Sequence, residues 1–355
     1  MPVSVLKRVS EEMMNWRNSG MSVMELPHRG KLFEKLLDET LELGTNLLGL
    51  PDSHNLIFMQ GGARGQNAII PLNILNENDV CDYLITGFWS KLSADEATKY
   101  GKVNIVAEVT SQPKSIPSVN DWSLSNNASY LHFCANETVD GIEFHDWPNL
   151  LIDRKVNTPL IVDVSSNIFT RRLNFKKTII AYAGAQKNIG PAGLTLVIID
   201  KNFVESLQNK KQNKCPNVFN YKNVLNSKSC FNTPPTFAIF VTKIMFEWIL
   251  ESGGVSQMEE TNKKKSSLIY EVIDTSSIYE SNVSKECRSF VNIPFFIKKP
   301  NLTALFLNGA EERGLINLKG HSSVGGLRAS IYNSMPMAGV EKLVDWLNKF
   351  EKQYS

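Results

Sequence analysis

The sequence predicts an α/β fold: a large domain with a mostly parallel sheet, followed by a smaller α+β C-terminal domain. Three observations carry this expectation. Short apolar runs alternate with helical or loop segments over the first two thirds of the chain. A Gly-rich turn joins one such run to a helical pattern. After Pro235 the pattern changes, with a long apolar helix that ends at Gly253 and Gly254.

Taken in order, apolar residues recur at three- and four-residue spacing from Val5 to Arg17 and from Lys31 to Leu48, which predicts two amphipathic helices. His28, Arg29 and Gly30 fall in the loop between them. Asn55 to Met59 reads as a strand, Gly61-Gly62-Ala63-Arg64-Gly65 as a turn, and the stretch toward Leu75 as a helix. Further strands are expected at Val80–Thr86, Val103–Val109, Tyr130–Cys134, Leu160–Val164, Thr178–Ala183 and Leu194–Ile199. A helix is expected over Phe237–Glu251. Beyond it come strands at Phe290–Ile297, Leu315–Lys319 and Leu327–Tyr332, with helices at Leu302–Arg313 and Gly339–Lys352. The expected division is a large domain over 1–254, whose first residues are free to pack with the small domain, and a small domain over 255–355.

Composition narrows the function. The chain has 355 residues, 42% of them hydrophobic and 21% charged, enough to bury one large core or two. A formal charge of +2 with scattered basic residues gives no footprint for nucleic acid, and the basic run Gln208–Lys214 reads as a solvated loop. Five widely spaced cysteines, with no CxxC pair, argue against a disulfide framework or a zinc site and suit a reducing, cytoplasmic location. His54, His132 and His145 lack metal-ligand spacing, so no metal is expected. The N-terminus lacks an apolar signal core, and no stretch is long and apolar enough to span a bilayer.

The chemistry concentrates at Ala181–Leu194, AYAGAQKNIGPAGL, where Lys187 is set among small residues between two apolar strands. Such crowding lets a flat or bulky group approach the backbone. A lysine amine becomes a useful nucleophile when its charged form is disfavoured or when it is held as an imine. Asp163 ends the apolar run LIVDVSS; alone it reads sooner as a helix N-cap or loop acid, but its place before Lys187, with one apolar strand between, favours pairing with a protonated pyridine nitrogen. The Gly61–Gln66 turn offers backbone amides to a phosphate, and Trp89 could stack on a flat ring or simply fill a core.

In chain order, HRG at His28–Gly30, GGARGQ at Gly61–Gln66, CANETVDGI at Cys134–Ile142, AGAQKNIGPAGL, NTPPTF at Asn232–Phe237 and GHSSVGGLRASIYN at Gly320–Asn333 resemble the phosphoserine aminotransferases. These belong to the class-V aminotransferases among the fold-type-I pyridoxal-phosphate enzymes. The resemblance runs nearly the whole length of the chain. It implies a homodimer with active sites completed across the interface, pyridoxal 5'-phosphate as cofactor, and amino transfer between L-glutamate and 3-phosphohydroxypyruvate in serine biosynthesis. Formation of 4-phosphohydroxy-L-threonine, toward pyridoxine, is implied as a second activity.

It further implies that Lys187 binds the cofactor covalently, Asp163 holds the ring nitrogen, Trp89 stacks on the ring and Thr138 bonds its phenolic oxygen. The cofactor phosphate falls to Ala63, Arg64 and Gln186, with Asn232 and Thr233 from the other subunit. Arg328 takes the substrate carboxylate; His28, Arg29, Arg64 and His321 form the cationic pocket. Without the resemblance His28, Arg29 and His321 read as loop or surface residues, while Arg171 and Arg172, an adjacent basic pair, read as structural or peripheral. Two departures stand out: Ser322 replaces the usual arginine after the final histidine, and the usual N-F-S-x-G-P-A stretch is absent, the chain beginning at Met1-Pro2. The rival readings are another class-V aminotransferase, a cysteine desulfurase-like lyase, which needs a reactive cysteine on a mobile loop, and an impaired paralogue that only binds the cofactor.

Overall fold

Strands covered on both faces read as near-continuous apolar runs, and the computed structural model lays seven of them into one sheet. It describes residues 1–146, 158–207 and 215–355, so the basic run at 208–214 lies outside the described residues. The strands are β1 (His54–Gln60), β2 (Val80–Ile85), β3 (Lys102–Glu108), β4 (Ala128–Cys134), β5 (Leu160–Asp163), β6 (Thr178–Gly184) and β7 (Leu194–Asp200). Their order is β1-β7-β6-β5-β4-β2-β3. All neighbours are parallel except β7, which runs against both β1 and β6. Register places Cys134 beside Asp163, Asp163 beside Tyr182, and Gln60 beside Leu194. The last residues of β1, β4, β5 and β6 therefore meet at one edge, where parallel sheets place their ligand sites.

The helices are α1 (Val3–Met13), α2 (Lys31–Leu48), α3 (Gly62–Ile74), α4 (Phe88–Ala97), α5 (Lys201–Ser206), α6 (Tyr221–Asn226), α7 (Thr236–Glu251), α8 (Gly254–Thr275), α9 (Thr303–Glu312) and α10 (Met337–Tyr354). Strand alternation sends Leu56 and Phe58 to one face, under α2 and α7, and Ile57 and Met59 to the other, under α3 and α4. Val5 and Val9 place α1 in the first of these cores rather than against the C-terminal sheet. That second sheet, antiparallel in the order β10 (Leu327–Ser330), β9 (Asn292–Ile297), β8 (Tyr279–Glu280), has its own core with α8, α9 and α10 around Phe306, Trp346 and Leu347.

Three elements differ from the sequence reading. The first helix stops at Met13 instead of Arg17, because buried Trp16 folds the chain back, its amide donating to Met21, while Arg17 and Asn18 take positive φ. Gly253 and Gly254 do end α7, but their left-handed φ values of 94° and 72° permit a turn straight into α8, a 22-residue helix that the reading lacked. Leu315–Lys319 forms no strand; one bridge from Lys319 to Leu327 is all the pairing it makes, with Ile316 exposed. None of the five cysteines forms a disulfide. Among the described residues no helix is long and apolar enough to cross a membrane, and no three His, Cys, Asp or Glu side chains are placed to hold a metal.

Candidate active site

A cavity of about 340 Å³ opens at the shared strand edge. On one side the turn from β1 to α3 takes left-handed φ at Gly61 (100°) and Gly62 (65°), values a side chain would strain. Gly61 offers no side chain to cap α3, so the first-turn amides around Ala63 and Arg64 face the cavity, an arrangement suited to an anion. Opposite, β6 ends at Gly184, where a Cβ would lie 2.7 Å from Gln186 Oε1 and 3.3 Å from Ala63 N. A side chain there would push the Gln186 amide aside and press on the α3 terminus. The chain then turns tightly, with Gly190 N donating to Ala185 O at 2.7 Å, and projects Lys187 into the cavity.

Lys187 Nζ donates to Thr138 Oγ1 and lies 6.0 Å from the Trp89 ring centroid; the Arg64 guanidinium is 5.8 Å from the same ring. Asp163 reaches the cavity from the end of β5 and accepts from Ser165 N at 2.8 Å. Burial pushes its carboxyl up, opposed by Ser165 and by Lys187. An amine, a carboxylate, an indole face and an uncapped helix terminus therefore converge on one space. This donor set fits a flat, cationic heteroaromatic ring carrying a phosphate. The buried Asn136 Oδ1, without a protein partner beside the same cavity, adds an unused polar atom.

The structure thus brings together Ala63, Arg64, Trp89, Thr138, Asp163, Gln186 and Lys187. Arg328 stands at the margin, its Nη1 donating to Thr138 O at 3.4 Å. His321 packs its ring 4.9 Å from that of Phe88, next to Trp89. His28, Arg29, Asn232 and Thr233 do not line this cavity: Asn232 borders a separate hollow with Gln60, Thr233 O accepts from Gln60 Nε2 at 2.8 Å, and Arg29 lies near Cys230. Arg171 is structural, bonded to Glu143 at 2.9 Å.

Sequence reasoning passed over several residues of this region. Glu137 and Asp140 flank Thr138 and are buried; burial, then Asp140, pushes the Glu137 carboxyl up to about 7. Behind Asp163, Tyr182 Oη bonds Asn67 Oδ1 at 3.2 Å and His132 Nε2 at 2.9 Å. The only sequence signal for Tyr182 and His132 was their place inside apolar strands, where a polar ring needs a partner.

Residues 1–343 match the aminotransferase class-V family model. The chain is 45% identical over 363 residues to a phosphoserine aminotransferase of Albidiferax ferrireducens, covering 100% of this chain and 96% of that one. It is 44% identical to a second from Ralstonia pickettii, with 99% and 93% covered. Its fold matches the phosphoserine aminotransferase of Bacillus circulans subsp. alkalophilus with a TM-score of 0.92 at 36% identity, over 100% and 96% of the two chains. It also matches the PLP-bound phosphoserine aminotransferase of Trichomonas vaginalis with a TM-score of 0.91 at 39% identity, over 98% and 97%. With the converging lysine, carboxylate and helix terminus, these likenesses show that the chain belongs to the class-V aminotransferase family of fold-type-I enzymes, among the phosphoserine aminotransferases.

Proposed function

We propose that the chain moves the amino group of L-glutamate to 3-phosphohydroxypyruvate, giving 2-oxoglutarate and O-phospho-L-serine, with pyridoxal 5'-phosphate as cofactor. The observation that carries the reading is the convergence of Lys187, Asp163, Trp89 and the open end of α3 on one cavity. Bound there, the cofactor supplies a ring that accepts the electron pair left when substrate Cα loses its proton. Asp163 holds the ring nitrogen, Thr138 its phenolic oxygen, and the Ala63 and Arg64 amides with Gln186 its phosphate. Lys187 would hold the cofactor covalently, and its amine is placed to carry the substrate's Cα proton. Arg328 orients the substrate carboxylate, since a guanidinium fork holds an oxyanion in fixed geometry.

Arg64 and His321, with His28 and Arg29 reaching in from the other subunit because they do not line their own chain's cavity, form the cationic pocket for the substrate's phosphate or the glutamate side chain, and exposed Ser322 leaves that pocket one cation short of the family pattern. Asn232 and Thr233 lie away from their own chain's cavity, which supports a homodimer in which each subunit completes the other's site, and a cytoplasmic location belongs to the same reading. The large cofactor domain over 1–254 and the small domain over 255–355 belong to this reading. Formation of 4-phosphohydroxy-L-threonine is the expected second activity.

The test is the visible absorption of purified holoenzyme. O-phosphoserine alone should remove the visible band of the bound cofactor while unphosphorylated serine leaves it, and a band that neither changes would refute the assignment. Lys187→Ala should lower turnover by at least about a thousandfold, within the range for losing a positioned proton carrier.

A further inference from the structure

The loop after β4 faces two ways. Thr138 turns forward to Lys187 Nζ. Its neighbours Glu137 and Asp140 turn back onto the N-terminus of α4, the helix whose second residue is Trp89. Glu137 Oε2 accepts from Trp89 N at 3.0 Å, and Oε1 accepts from Ser90 N at 2.8 Å and Ser90 Oγ at 2.6 Å. Asp140 Oδ2 accepts from Phe88 N at 2.8 Å, and its Oδ1 takes an ion pair from Lys114 Nζ at 2.6 Å. The first three amides of α4 are thus held by two carboxylates that are 0% and 6% exposed. Two like charges this close oppose burial. The helix macrodipole and the amides offset that opposition.

A second observation shows how tightly the arrangement is built. A Cβ on Gly87 would collide with the Asp140 carboxylate and sit 2.8 Å from Glu137 Cδ. The Gly87 φ of 173° is ordinary extended backbone, so space alone demands glycine there.

We propose that Glu137 and Asp140 are positioning residues for Trp89: by clasping the first turn of α4 they fix the indole plane against the cofactor ring and beside Lys187. This rests on the reading that Trp89 stacks on the cofactor. Lys114 extends the clasp toward the C-terminal sheet, since its backbone bonds to Asn282 and Ser284.

The experiment is a double-mutant cycle on holoenzyme, comparing wild type, Glu137→Gln, Trp89→Ala and the double variant. The readouts are the circular dichroism of the visible cofactor band per bound cofactor, and the cofactor dissociation constant. Glu137→Gln should lower the dichroism and weaken cofactor binding roughly two- to tenfold, the span of one aromatic stacking contact. In the Trp89→Ala background it should change neither. Equal effects in both backgrounds would overturn the proposal by showing a general structural role, and so would wild-type readouts from Glu137→Gln. If Trp89→Ala itself leaves both readouts unchanged, the stacking reading falls and the proposal with it. Asp140→Asn and Gly87→Ala, which loosen the same clasp, carry the same comparison if Glu137→Gln does not fold.

Discussion

His132 shows what one buried side chain contributes here. It is 0% exposed in the middle of β4, stacked 4.8 Å from Tyr83 and bonded to Tyr182 at 2.9 Å, with Ser93 nearby and no carboxylate paired to it. Burial alone pulls its pKa down to about 3, so it is neutral at and around neutral pH. The folded state therefore binds fewer protons than the unfolded chain between the ordinary histidine pKa and about 3. Stability from this group is complete above about 6.5 and is lost as pH falls toward 3, at about 1.4 kcal/mol per pH unit. His132→Gln lacks that titration. The stability gap between wild type and variant should shrink by about 3 kcal/mol from pH 7 to pH 4, read from urea unfolding at the two pH values. An unchanged gap would show that His132 is not held neutral. Glu137, pushed up to about 7, works in the opposite direction over part of the same range, so wild type alone would not separate the two.

At the scale of elements, α3 and α4 both bring their N-termini toward the cavity, and the chain treats them differently. The α4 amides are taken by Glu137 and Asp140, whereas Gly61 leaves those of α3 without a side-chain cap. One helix is finished by the protein and the other is left for an anion. The β6 end guards that difference, because a side chain at 184 would displace Gln186. Gly184→Ala should weaken cofactor binding about 5- to 150-fold, corresponding to the 1–3 kcal/mol typical of overpacking, in a fluorescence or dialysis titration. Wild-type affinity would mean that Gln186 does not need its present position.

For the whole molecule, two asparagine contacts join the C-terminal sheet to the site. Asn136 Nδ2 donates to Asn292 Oδ1 at 2.9 Å, and Asn333 N donates to Asn188 Oδ1 at 3.1 Å, one residue from Lys187. Buried Lys265 supports the same segment by donating to three carbonyls, of Ile331, Tyr332 and Met335. The proposed second subunit can be tested by mixing two inactive variants, Lys187→Ala and Asn232→Ala. In a mixed dimer one site would regain both residues, so statistical mixing should restore about one quarter of wild-type activity. No recovery, with mixed dimers shown to form, would place Asn232 outside the partner's site.

Near-continuous apolar runs and helical spacing let the sequence alone determine β1 to β7, α2 and α7, because burial on one or both faces writes itself into local pattern. Lys187, the Gly-rich turn and Asp163 were legible for a related reason: close approach needs small residues, and a charge closing an apolar strand needs an explanation. The turn at Trp16, the failure of Leu315–Lys319 to pair beyond one bridge, and the restart into α8 were not legible, since glycine marks both a helix end and a sharp join. Tertiary structure alone decided that Glu137 and Asp140 face α4, that Tyr182 lies beside Asp163, and that Asn232 stands apart from its own chain's cavity. Those facts depend on strand order and register, which bring residues distant in sequence to one edge and which no local spacing encodes.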